Sequence, residues 1–90
     1  MSNNPKLSTR ALIIGSGPDN PKAGDLISDL LDGFVYEEIE TQRIDLGGRT
    51  IIGILIALDP AHFDAVRNEL ENASLSNVLD VAMLEVGPGN

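Results

Sequence analysis

The stretch Ala11-Leu12-Ile13-Ile14-Gly15-Ser16-Gly17-Pro18-Asp19-Asn20-Pro21-Lys22-Ala23-Gly24 joins two kinds of chain, and its reading sets the fold. The first four residues form a short, branched, apolar run bounded by Gly15 and Gly17, the mark of a buried strand. Asn20 before Pro21 marks a helix start. The Asn side chain caps, and proline at the first helical position lacks an N–H that would go unpaired anyway. Downstream, Ala23, Leu26, Ile27, Leu30, Leu31 and Phe34 recur at intervals of three and four, which puts them on one helical face. Lys22, Asp25, Ser28, Asp29 and Asp32 then point outward, and Gly33 is the expected stop. Gly24, inside this helix, costs about 1 kcal/mol relative to alanine and permits a close backbone approach near the first turn.

Working outward, Val35 to Leu46 reads as a strand carrying Glu37, Glu38, Glu40, Gln42, Arg43 and Asp45, a charge load suited to a sheet edge. Gly47-Gly48 is a two-residue hairpin signal, because both positions of such a turn need positive φ. Arg49 to Leu58 follows and is apolar on both faces, as is the first strand. Helices on one side of a sheet leave the other side free to alternate with polar residues, so the missing alternation predicts that a second subunit or a neighbouring domain covers the far face. Asp59-Pro60 repeats the cap-plus-proline start, and Phe63, Val66, Leu70 and Ala73 mark the buried side of a second helix. Ser74 to Asn77 reads as a loop and Val78 to Val86 as a last strand.

The order is β-α-β-β-α-β, which makes the chain α+β with a ferredoxin-like βαββαβ sandwich. Right-handed crossovers give an antiparallel sheet of strand order 4-1-3-2 with two helices on one face. The two doubly apolar strands fall in the centre and the glutamate-rich strand on an edge. Residues 1–8 read as a loose N-terminus, 9–86 as one domain, and 87–90 as a tail or the start of a linker.

Ninety residues suffice for one small domain. A net charge of −8 speaks against nucleic acid and anionic membrane surfaces as partners. The chain has no cysteine and no apolar run long enough to cross a bilayer, so a cytoplasmic protein is the expectation. No catalytic set is visible. His62 stands alone and reads as a surface residue rather than a metal ligand. Glu37, Glu38 and Glu40 read as a solvated edge, Arg43 and Arg49 as surface ion-pair residues, and Gly15-x-Gly17 as a turn rather than a phosphate cradle. No cofactor is called for.

The run from Ala11 to Pro21, the glutamate-rich second strand, the glycine hairpin and the segment Gly48-Arg49-Thr50-Ile51-Ile52-Gly53-Ile54-Leu55-Ile56 together resemble an ACT domain. The likeness is greatest to the first ACT domain of phosphoserine phosphatases that carry such domains ahead of their catalytic part, and it covers roughly residues 10–86. The resemblance implies a homodimeric regulatory module that binds a small, serine-like amino acid at an interface and regulates an enzyme of amino-acid metabolism. Carried over by position, Asp19 and Asn20 are polar contacts to the ligand and Pro21 shapes the turn. Exposed amides at a helix N-terminus attract a carboxylate, and an aspartate meets an ammonium. Lys22 stands where the family usually has glycine. Its side chain either blocks the site or reaches the ligand carboxylate, and blockage gives the alternative reading of an assembly module that has lost its ligand. Asp19 and Asn20 also have a plainer reading, as turn and cap residues.

Two dimer surfaces are open to such a chain. In one, the edge strand pairs with its own copy about a centre between Glu40 and Thr41, which sets Glu38 opposite Arg43 of the partner and makes Glu38, Glu40 and Arg43 interface residues. In the other, the uncovered sheet face is the contact.

Overall fold

The computed structural model describes residues 7–18, 23–74 and 80–87. Four strands, β1 (Thr9–Pro18), β2 (Tyr36–Leu46), β3 (Arg49–Leu58) and β4 (Asp80–Gly87), form one antiparallel sheet in the order β2-β3-β1-β4. Helices α1 (Ala23–Leu31) and α2 (Phe63–Ser74) complete the βαββαβ sandwich. The expected order 4-1-3-2 is this same sheet read from the other edge. Asp19 to Lys22, the residues assigned above to a ligand, lie outside the described residues, as do most of the loop and the first residues expected for the last strand.

The hairpin is built as its glycines require. Gly47 and Gly48 have φ of 57° and 80°, both in the region closed to most side chains. This turn fixes the pairing Leu46–Arg49, Asp45–Thr50 and Ile44–Ile51. Asp59 caps the next element as its sequence predicts, its carboxylate accepting from the Ala61 amide at 2.9 Å. The cap opens a single 3-10 turn, Pro60–His62, before α2 begins. Gly33 departs from expectation. It has no positive φ, so α1 ends at Leu31 without a left-handed cap, and the Phe34 amide closes the turn onto the Leu31 carbonyl at 2.9 Å.

The core lies between the helices and one face of the sheet. Ile13 of β1, Ile52, Ile54 and Ile56 of β3, and Met83 of β4 meet Ile27 and Leu31 of α1 and Val66 and Leu70 of α2. Each such side chain contributes about 1.5–3 kcal/mol by leaving water. Gly15 belongs to this face, and a Cβ there would stand 3.0 Å from the Ile27 Cδ1 atom, so the helix packs on bare backbone. The opposite face carries no helix. Leu12, Ile14, Ile51 and Leu55 are only half-buried there, and Ile44, Leu46, Leu84 and Val86 stay 46%, 64%, 53% and 54% exposed.

One irregularity changes how β2 presents its residues. Glu38 pairs with Ile56 and Glu40 with Leu55, leaving Ile39 as the extra residue of a β-bulge. Tyr36 and Glu38 therefore share the helix side with Thr41, Arg43 and Asp45, while Glu40, Gln42, Ile44 and Leu46 face the open side. The Thr41 hydroxyl donates to a Glu38 carboxylate oxygen at 2.7 Å along the helix side.

Candidate functional site

Two places on the molecule bring functional groups together. The first lies where β1 runs out towards α1. Gly17 and Pro18 close β1 opposite Thr50 and Arg49, and Gly24 of α1 sits over Ile52, a Cβ there falling 3.9 Å from its Cδ1 atom. Ile52 thus meets the first turn of the helix, and Arg43, Thr50 and Asp45 lie beside and beyond it in the sheet towards the hairpin. Thr50 is fully buried, and its hydroxyl donates to Asp45 Oδ1 at 2.9 Å. The Arg43 guanidinium donates to both Asp45 oxygens at 3.3–3.4 Å and to the Thr50 hydroxyl at 3.4 Å. These bonds favour the ionised carboxylate. The Arg43 guanidinium first, and the Thr50 hydroxyl second, hold Asp45 below the usual carboxylate range. The cluster pairs charges of both signs around a buried hydroxyl.

The second place is a groove of about 350 Å³ on the open face, lined by Leu12, Gly53, Leu55 and Val86, with Glu40 and Gln42 along its β2 rim. Gly53 makes the hollow, because a Cβ at this position would meet nothing within 4 Å. The lining is apolar apart from the rim, so the groove suits a hydrocarbon side chain and not a small charged ligand.

Of the residues expected at an interface, Glu38 and Arg43 face the helix side and Glu40 the open side. The edge register proposed for β2 opposes Glu38 to Arg43 of a second copy, and the bulge puts these two on the same face. Arg43 forms its ion pair within its own strand, with Asp45, and Arg49 donates to the Ser16 hydroxyl at 3.2 Å. Asp45 and Thr50 escaped the sequence reading, although the two-residue glycine turn already implies that they pair. Among the described residues, no group of His, Asp and Glu is placed to hold a metal ion, and no helix is long and apolar enough to cross a membrane.

No family model matches the sequence, and no curated protein matches it. Solved structures do match in fold. A protein assigned as a glycine cleavage system transcriptional repressor superposes with a TM-score of 0.79 at 18% identity, over 91% of this chain and 48% of its own. An ACT domain protein from Streptococcus pneumoniae gives 0.75 at 15% identity, covering 87% of this chain and 90% of that one. A formyltetrahydrofolate deformylase from Burkholderia mallei gives 0.74 at 19% identity, over 87% of this chain but 28% of its own. The chain thus spans about half of the first of these proteins and under a third of the last. The architecture is the ferredoxin-like fold of ACT domains.

Proposed function

We propose that this chain is a regulatory ACT-type domain that works as a homodimer and binds a small, serine-like amino acid beside the entry to α1. By the resemblance of its sequence, its output is control of an amino-acid-metabolism enzyme such as a phosphoserine phosphatase. The observation that carries the reading is the ACT-type fold with the Arg43–Asp45–Thr50 cluster at the end of the sheet where Asp19, Asn20, Pro21 and Lys22 connect β1 to α1. Asp45 and Arg43 pair with each other beside the Thr50 hydroxyl, and a zwitterion's ammonium and carboxylate can exchange for that pair. One structure of similar fold is named for repression of the glycine cleavage system, which fits a small amino acid as the signal. The domain itself has no part in catalysis on this reading.

Calorimetric titration with serine, glycine and alanine tests the proposal. Binding heat and a raised melting temperature are expected with at least one of them, and neither effect at millimolar ligand overturns it. Lys22 favours a second reading, an assembly domain without a ligand, since a long side chain stands where close backbone approach is usual. On that reading Lys22→Gly creates binding that the unaltered chain lacks. If Lys22→Gly instead weakens existing binding, the lysine is itself a ligand contact.

A further inference from the structure

We infer that two copies of this chain associate face to face through the open side of the sheet, with the apolar groove over Gly53 receiving side chains of the partner. The inference rests on the homodimer reading above and supplies its surface. It does not depend on any ligand.

Three observations converge on this face. The first is extent. Four strands about 4.8 Å apart and roughly ten residues long at about 3.3 Å per residue make a flat area near 600 Å², to which side-chain relief adds. Two such faces bring together about 1,200 Å², above the roughly 1,000 Å² in total that a biological interface has to clear. Apolar residues run across it without a break, from Leu46 and Ile44 on β2 through Ile51, Leu12 and Leu55 to Leu84 and Val86 on β4. A patch of that size is a contact surface and not a solvated one.

The second observation is charge. The chain carries a net −8, which opposes the approach of a second copy. That charge is not evenly spread. Asp25 and Asp29 of α1 and Asp64, Glu69 and Glu71 of α2 lie on the helix layer. On the open face Glu37, Glu40 and Asp80 are balanced in part by Arg10 and Arg49. The open face is the side from which an equally acidic partner meets least repulsion.

The third is self-complementarity. A two-fold axis lying in the interface and crossing the strands reverses each strand over its copy. The Arg49 end of β3 then lies over the partner's Ala57 end, and Arg49 meets the partner's Glu37, which neighbours Ala57 in the sheet. The same operation makes the contact twice. An edge-to-edge arrangement using the whole of β2 crosses the bulge at Ile39, where the ladder is interrupted.

Sedimentation equilibrium of the full chain over a concentration series decides the matter, with circular dichroism confirming the fold of each variant. The unaltered chain is expected to be a reversible dimer. Leu84→Glu and Leu46→Glu sit at positions more than half exposed, so the monomer fold survives, and each weakens the dimer by about a hundredfold because a charge enters an apolar contact. Arg49→Glu also weakens it, and adding Glu37→Arg restores it. A dimer untouched by Leu84→Glu and Leu46→Glu but dissociated by Ile39→Pro overturns the face and leaves the homodimer standing. A chain that is monomeric at every concentration overturns both.

Discussion

The two faces of β3 are made of nearly the same residues and have opposite fates. Ile52, Ile54 and Ile56 alternate with Ile51, Gly53 and Leu55 along one strand, and the first set is sealed under two helices while the second stays half open. Side-chain chemistry does not distinguish them. The helix crossovers do, because both run over the same side of the sheet. Apolar content therefore reports that a surface is meant to be covered, and the topology decides whether the covering comes from within the chain.

That contrast is broken or sharpened by substitution on each side. The largest effect belongs to the sealed face: Leu70→Ala, at a fully buried position, is expected to lower unfolding free energy by about 2–5 kcal/mol in urea titration. Leu84→Ala on the open face, measured at dilutions that favour the monomer, is expected to change it by no more than about 0.5 kcal/mol. If both cost the same, the two faces are energetically alike and the contrast is wrong.

The glycines give a finer comparison, with opposite signs. Gly15→Ala forces a methyl to within 3.0 Å of the buried Ile27 terminus and is expected to cost about 1–3 kcal/mol. Gly53→Ala meets open space and removes backbone freedom from the unfolded chain, so the monomer gains about 0.5–1 kcal/mol. Thermal melts at low concentration read both. Next in size, Asp59→Ala removes the cap that starts the helix layer on its return over the sheet and is expected to cost about 1 kcal/mol.

The smallest effect concerns the rim between the faces. Asp45 has a lowered pKa in the folded chain, so its ionised form stabilises the fold at pH values above 3.8, its ordinary value. That contribution disappears as pH falls through the lower folded value. Arg43→Gln removes the leading cause, and the Asp45 carboxyl titration followed by NMR is expected to move up towards its ordinary value, with a smaller loss of stability on the acid side.

Much of this arrangement is legible in the residues because it depends on local chemistry. Gly47-Gly48 demands a hairpin, Asp59-Pro60 a capped start, and the three-and-four spacing from Leu26 to Phe34 a helix lying on a core. The strand order follows from these pieces and the handedness of crossovers. The bulge is different. Ile39 carries no mark of it, being neither glycine nor proline, because bulging is settled by how two strands fit along their whole length. Strict alternation would put Glu38 with Glu40 and against Arg43, whereas the bulge puts Glu38 with Arg43 on the helix side and Glu40 on the open side. The Arg43–Asp45–Thr50 cluster was half visible. The turn sets Asp45 opposite Thr50, but the complete burial of Thr50 is settled by packing that the local sequence does not display. The apolar far face was legible as a surface needing cover, though not as the groove that Gly53 opens.

The bulge at Ile39 also bears on what this protein avoids. A straight, exposed strand at the rim of a sheet is a template on which further chains can add one after another without limit, ending in fibres. Here an incoming chain finds the β2 template interrupted after Glu38 and bordered by carboxylates, so growth in the plane of the sheet is poisoned near its first step. Growth perpendicular to the sheet has only one adhesive side, since the other is occupied by helices. Were two copies to meet by their open faces as proposed, each would have used its one adhesive side of the sheet.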